Sequence, residues 1–142
     1  MSLRQYGGSG GSTPYRSYTI GVAGVAGCDY NFTSVGNANQ QSIQLGATAI
    51  IPAKASVTSI IASDSVALVG GTATCNVGIT SGSAEYIDTV TLSSLNATAS
   101  SSAAVSAQST ASSIYFSITP SANWNTLSAG KWKVNIFINL FV

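Results

Sequence analysis

The side chains best suited to acid–base chemistry are four carboxylates. Glu85 and Asp88 stand three residues apart in a segment expected to be a loop, whereas Asp29 and Asp64 are isolated. A glycosidase needs two carboxyls, one of them kept protonated by an apolar setting, and calcium needs about six to eight oxygen ligands. Two acids alone make a weak calcium site, so solvated loop charges are the favoured interpretation. No metal ion and no cofactor is predicted.

Nucleophilic catalysis lacks its usual partner, because the chain contains no histidine. Serine, threonine and cysteine are plentiful, yet no motif pairs any of them with a general base. Cys28 and Cys75 also lack the CxxC spacing of a zinc or redox site. Cys75 lies on the apolar side of an alternating segment, which favours a buried free thiol, and a Cys28–Cys75 disulfide stays open. We expect a protein that is not an enzyme and has no catalytic residue.

Aromatic side chains offer a different chemistry, the stacking of a sugar on a ring. Trp124 lies in the polar segment SANWN, and Tyr86, Tyr115 and Trp132 could extend a stacking platform. Trp124 and Tyr86 are therefore candidate glycan contacts, and a carbohydrate-binding module for attachment to a host surface is one hypothesis. The favoured alternative is that Trp124 plugs one end of the fold, as large loop aromatics often do.

Charge is scarce throughout the chain. Charged residues form 6% of the 142 residues and the net charge is +1, whereas an ordinary soluble domain carries about 25% charged residues. Five scattered lysines and arginines cannot supply clustered phosphate contacts, so nucleic acid is not predicted as a partner. Low charge also protects a free monomer poorly against association. A subunit of a larger assembly is favoured over a free monomer whose surface is hydrated by uncharged polar groups.

The amino-terminal residues predict a flexible arm. Residues 1–16 contain the linker-like tract GGSGGS, flanked by Tyr6 and Tyr15, which are candidates for contact with a neighbouring subunit. A simple disordered tail remains an equal alternative. The first residues lack the apolar core of a secretory signal. No uninterrupted run of about 18 apolar residues occurs, so no membrane partner is predicted.

Beyond the arm, apolar residues recur with a period of two, which predicts β-strands. Residues 93–113, rich in Ser, Ala and Thr, are predicted as a long loop with one strand near 104–108. No amphipathic helix is evident. The chain therefore predicts an all-β, antiparallel β-sandwich over residues 17–142 that is jelly-roll-like. The predicted strands cover 18–22, 43–51, 57–62, 73–79, 90–92, 114–119 and 132–142.

The last predicted strand carries apolar residues on both faces. One face runs from Trp132 to Val142, and the other begins with Lys131 and ends with Phe137 and Phe141. A strand that is apolar on both faces is expected to be covered on both, by its own fold or by another subunit. Phe137 and Phe141 therefore join the two arm tyrosines as candidates for a protein interface.

Four short elements follow one another in the order of a known pattern. They are PAKASV at 52–57, TCNVGIT at 74–80, YID at 86–88 and SAGK at 128–131. Together they resemble small structural proteins of tailed-bacteriophage virions, over roughly residues 43–142. The resemblance implies a β-sandwich or jelly-roll subunit of the capsid or tail that is usually homo-oligomeric. The loop at 93–113 and the strands at 17–35 depart from the pattern.

The leading hypothesis is a virion structural protein, either a capsid decoration (auxiliary) protein or a head-fibre subunit. Its expected partners are the major capsid protein or other virion proteins, together with further copies of itself, a trimer being favoured. Its expected location is the virion, assembled in the host cytoplasm. The alternatives are a tail or neck component and the carbohydrate-binding module.

Overall fold

The computed structural model describes residues 15–92, 98–100 and 110–139. In these ranges the chain forms nine β-strands, two single-turn 3₁₀ helices and no α-helix. The 3₁₀ turns are Leu45–Ala47 and Trp124–Thr126. The strands are β1 Tyr15–Gly21, β2 Tyr30–Asn31, β3 Gln41–Gln44, β4 Ser56–Val66, β5 Ala73–Gly78, β6 Ile87–Thr91, β7 Thr98–Ser100, β8 Tyr115–Pro120 and β9 Lys131–Asn139.

The strands form two sheets whose buried residues make one core. The first sheet has the order β2–β1–β9–β4–β7 and the second the order β3–β8–β5–β6. β1 and β2 run parallel, and the other pairings are antiparallel. The pairs β1–β9, β3–β8, β4–β7 and β5–β6 are nested, as if one long hairpin had been rolled up. This order is jelly-roll-like, and the predicted all-β antiparallel sandwich is confirmed.

β9 shows how the period of two positions the core. Trp132, Val134, Ile136 and Ile138 are fully buried, while Lys133 is exposed, because successive side chains of a strand point to opposite faces. Burying one large apolar side chain stabilises the fold by about 1.5–3 kcal/mol. Since β9 lies between β1 and β4, these four side chains hold the middle of the first sheet.

The strand predicted over 43–51 is wrong beyond its first residues. β3 spans Gln41–Gln44, and the chain then enters a 3₁₀ turn in which Gly46 has a φ of 78°, a left-handed conformation that interrupts a strand. A Cβ on Gly46 would also collide with Ile50 and with the Tyr18 hydroxyl. The turn and the residues that follow it nevertheless bury apolar side chains, which is why this sequence resembles that of a strand. These residues are Leu45, Ile50 and Ile51.

Two segment boundaries differ from the sequence-based expectation. β1 begins at Tyr15, so the last two residues of the predicted arm belong to a strand, and the rest of the arm lies outside the described residues. β7 lies within the segment 93–113 and pairs with residues 61–63 of β4. The strand predicted near 104–108 lies outside the described residues.

Both cysteines are free thiols. Cys75 is fully buried on β5, as predicted, and burial raises the pKa of its thiol. Cys28 is half-buried in the loop that follows β1, with its Sγ close to Gly21 of the first sheet. The two thiols thus belong to different parts of the fold, Cys75 to the second sheet and Cys28 to a loop beside the first.

Candidate protein interface

The carboxylate of Glu85 closes the loop between β5 and β6. Its Oε1 accepts hydrogen bonds from Ser83 Oγ at 2.5 Å and from the Ile79 N–H at 2.9 Å. The Ser83 hydrogen bond is the main reason why the pKa of Glu85 lies below its usual range. Gly78 allows this closure, because a Cβ there would collide with Glu85 and Ser83. The carboxylate therefore serves the local fold.

The two other exposed acids also bind neighbouring groups of the chain. Asp29 Oδ2 accepts a hydrogen bond from the Thr19 N–H at 2.8 Å, and Asp88 Oδ1 accepts one from Thr89 Oγ1 at 2.8 Å. Across the ranges that the structure describes, no three Cys, Asp or Glu side chains come together as metal ligands. Asp88 and Thr89 both belong to β6, so the expectation of a loop is wrong for Asp88, and these acids stabilise the local backbone.

The two candidate glycan contacts are buried, which corrects that assignment. Trp124 is 2% exposed, its ring centroid lies 4.9 Å from that of Phe32, and its Nε1 donates a hydrogen bond to the Asn39 carbonyl at 2.7 Å. Tyr86 is 7% exposed, and burial raises its pKa to about 12. Neither ring face is open to a sugar, and no pocket was found among the described residues. Trp124 occupies the position of the plug.

Phe32 is a central core residue that the strand pattern did not reveal. It follows β2, and its ring lies within 6.3 Å, centroid to centroid, of the rings of Phe116, Trp124 and Trp132. Because Phe32 stands in a loop, no period of two surrounds it. These rings connect the long loop before β3 to both sheets, so that end of the sandwich is filled by packed aromatic side chains.

The structure places two of the four candidate interface residues side by side. Tyr15 of β1 lies opposite Phe137 of β9, and Ser59 of β4 lies on the other side of Phe137. Phe137 is half-buried. Tyr6 and Phe141 lie outside the described residues. The neighbourhood of Phe137 thus belongs to the outer face of the first sheet, which we define by Ser17, Thr19, Ser59, Ile61, Ser63, Lys133, Asn135 and Phe137.

A second surface lies at the turn between β4 and β5. We define the valine tip as residues 66–72, in which Val66 is 42% and Val69 56% exposed. These are the large exposed hydrophobic residues of the described chain. Both valines belong to one short turn, and exposed apolar side chains grouped in one region are candidates for a contact surface. The sequence VALVGG signals a turn, but the exposure of Val69 depends on how that turn packs.

The backbone of the valine tip is held on both sides. Val69 and Ser128 exchange two backbone hydrogen bonds of 2.9 Å, and Thr72 and Ser121 form a second pair of contacts at 2.8 and 2.9 Å. Gly70 has a φ of 100°, and a Cβ there would collide with a backbone carbonyl of the β8–β9 loop. The tip therefore presents its two valines on an ordered backbone.

The edges of the second sheet are protected against further strand pairing. At β3, the side-chain amide of Gln41 accepts a hydrogen bond from the Thr33 N–H at 2.9 Å and donates one to the Thr33 carbonyl at 2.8 Å. At β6, Thr89 has a φ of 51° and the pairing with β5 shifts register. Bulges and side-chain caps of this kind hinder the addition of another strand. Contacts through side-chain faces are favoured over contacts through these edges.

Comparison with known proteins identifies a similar architecture. No protein-family model matches the chain, and no curated protein matches it. A chain in a solved structure, the cyanophage Pam1 capsid asymmetric unit, is similar to this one with a TM-score of 0.50 and 17% sequence identity. The match covers 89% of this chain and 82% of that chain. The two chains share a fold.

The likeness extends over most of both chains, so it concerns the whole sandwich and not one hairpin. At this identity it shows the fold alone. No helix among the described residues has the length and hydropathy needed to cross a membrane. The features that remain as a functional site are therefore surfaces, namely the outer face of the first sheet and the valine tip.

Proposed function

We propose that this chain is a non-enzymatic structural protein of a tailed-bacteriophage virion, either a capsid decoration (auxiliary) protein or a head-fibre subunit. It acts by packing against the major capsid protein or other virion proteins, and it resides in the virion. Its own copies associate as a closed homo-oligomer, with a trimer favoured. A tail or neck position is the alternative within the same class.

The observation that carries this proposal is the likeness to a chain of the cyanophage Pam1 capsid over 89% of this chain. A fold alone does not determine function, so the composition and the surface supply independent support. Charged residues form 6% of the chain, which suits a protein whose surface is partly covered in an assembly. The exposed acids accept hydrogen bonds from other groups of the fold.

Two surfaces supply the contacts in this proposal. The first is the outer face around Phe137, together with Tyr6, Tyr15 and Phe141. The second is the valine tip, whose ordered backbone loses little conformational freedom on docking. Apolar side chains presented in this way gain free energy when a partner removes them from water. In this proposal the arm predicted over residues 1–16 strengthens the attachment.

The decisive experiment is mass spectrometry of particles purified from the host in which the gene is naturally expressed. The chain is expected in the particles at a fixed ratio to the major capsid protein. Immunogold labelling on the head shell would indicate decoration or a head fibre, whereas labelling at the neck or tail would indicate the alternative. Particles that form normally and lack the chain would overturn the proposal.

A variant of the valine tip tests which surface mediates the attachment. Val69→Asp is expected to reduce the amount of the chain in particles, because a charge would be desolvated in the contact. Thr119→Asp is the matched control, since Thr119 is exposed on the outer face of the second sheet. If both variants are incorporated like the natural chain, the tip is not part of the interface.

A further inference from the structure

Asp64 is a carboxylic acid that faces the core. It is 5% exposed and lies at the end of β4, opposite Trp132 of β9. Among the residues that the structure describes, neither of its carboxyl oxygens has a hydrogen-bond partner. An unpartnered carboxylate in such a place destabilises a fold, and each buried polar group without a partner calls for an explanation.

The nearest explanation is the indole of Trp132. Its Nε1 donates a hydrogen bond of 3.1 Å to the carbonyl of Leu92, the residue that follows β6. The same indole is close enough to the Asp64 carboxyl to lower its pKa, although neither carboxyl oxygen has it as a hydrogen-bond partner. Burial raises the pKa of Asp64 to about 6, and the nearby indole opposes part of that rise. The indole N–H of Trp132 thus has two acceptors within reach, the Leu92 carbonyl and the Asp64 carboxyl.

We propose that Trp132 is a two-position donor whose acceptor is selected by the protonation of Asp64. When Asp64 is neutral, the indole N–H stays on the Leu92 carbonyl, as in the structure. When Asp64 loses its proton to water, its charged oxygen becomes the stronger acceptor. The N–H then turns to Asp64, and the Leu92 carbonyl is released.

The other ionisable groups of β1 and β9 in the first sheet lie on its outer face or farther along the strands than Trp132. Lys131 and Lys133 alternate with Trp132 and therefore lie on the outer face. On β1, Arg16 and Tyr18 are on the same side of the sheet as Asp64, but their partners on β9 lie four and two residues beyond Trp132, respectively. No cation on this sheet therefore faces Asp64 as closely as the indole does.

The remaining elements packed around Asp64 add no competing charge. The valine tip contains no ionisable side chain, and none occurs between residues 93 and 114. In the second sheet, the thiol of Cys75 on β5 stays neutral, because burial raises its pKa. A transition near pH 6 at this end of the sandwich would therefore belong to Asp64.

Proton–nitrogen correlation spectra provide the test, because the chain has two tryptophans with different surroundings. The Trp132 indole signal is expected to shift along a one-proton curve with a midpoint near pH 6. The Trp124 indole donates to the Asn39 carbonyl and is the internal control, expected to stay constant between about pH 4 and pH 8. The experiment needs no partner and does not depend on the proposed virion role.

Two variants assign the transition. In Asp64→Asn the Trp132 signal should no longer respond to pH, whereas Asp88→Asn, at an exposed acid, should keep the full response. A constant Trp132 signal in the natural chain overturns the proposal, as does a transition that survives in Asp64→Asn. Because the natural chain alone can give the first of these results, the proposal is testable even if Asp64→Asn fails to fold.

Discussion

Trp124 connects the loop between β8 and β9 to the loop between β2 and β3, which is far from it in sequence. Its ring packs on Phe32, its indole binds the Asn39 carbonyl, and its backbone N–H binds the Asn37 carbonyl at 2.9 Å. Trp124→Ala should lower the free energy of unfolding by about 3–5 kcal/mol, because it removes the ring and leaves a cavity. Urea unfolding followed by circular dichroism measures the loss.

Trp124→Phe is the matched control. It keeps an aromatic ring on Phe32 and removes the indole N–H, so it should cost clearly less than the alanine variant, with a loss of about 1–3 kcal/mol for the unpaired Asn39 carbonyl. Equal stability of Trp124→Ala and the natural chain would show that the ring does not close this end of the sandwich.

Asp64 should make the stability of the chain depend on pH. Because the pKa of Asp64 is raised to about 6 in the folded state, the folded chain holds this proton more tightly than the unfolded chain. The stabilisation is complete below about pH 4 and is lost as the pH rises through 6. We expect a loss of about 1–3 kcal/mol, since water near the end of β4 screens part of the charge.

Unfolding in urea at several pH values measures this dependence. Asp64→Asn should flatten it between about pH 4 and pH 7 and leave the neutral-pH stability equal to or above that of the natural chain. Asp88→Asn serves as the reference variant. A natural chain that gains stability over this interval would contradict the sign of the prediction.

At the scale of one element, the loop between β5 and β6 packs against Gly78 and leaves no room for a side chain there. Gly78→Ala should destabilise the fold by about 1–3 kcal/mol, because the new methyl group would push against Glu85 and Ser83. Gly36→Ala is the control, since a Cβ there meets an ordinary contact at 3.6 Å. Thermal unfolding compares the two variants, and equal melting temperatures would refute the crowding at Gly78.

Strands were predictable where alternation continued between turn signals. β1, β5, β8 and β9 follow their predicted segments closely, because in these strands one face is buried and the other is polar. The strand prediction for 43–51 failed because the chain enters a 3₁₀ turn after Gln44, while apolar residues in and after that turn are still buried. β7 was not predicted, because Ser and Ala differ little in hydropathy and give no alternating pattern. It is a strand because it pairs with β4.

The candidate interface was predictable only in part, for a related reason. The apolar outer position of Phe137 follows from the alternation of β9. The exposure of Val69 follows from its bridge to Ser128, a contact between residues far apart in sequence. The burial of Trp124 likewise depends on the loop at Asn37 and Asn39. The local sequence predicts turns or polar loops at Val69 and Trp124, but it does not indicate which distant residues pack against them.

At the scale of the whole molecule, β9 is the central strand of the first sheet. It pairs with β1 on one side and β4 on the other, and it contributes four fully buried side chains. A chain ending at Gly130 should therefore remain unfolded. A chain lacking residues 2–14 should fold, because β1 begins at Tyr15. One-dimensional proton NMR distinguishes the two outcomes, and a folded chain without β9 would contradict the assigned role of this strand.

The nested order of the strands also governs what happens on the ribosome. β1 ends at Gly21, but the strand β9 beside it begins at Lys131. The growing polypeptide therefore cannot complete its first sheet until the residues of β9 have been translated. Long-range pairing of this kind is slow, and the nascent chain must be kept from aggregating in the meantime. Products of interrupted translation would lack β9. They would be left for proteolysis and would not compete with finished copies for places in an assembly.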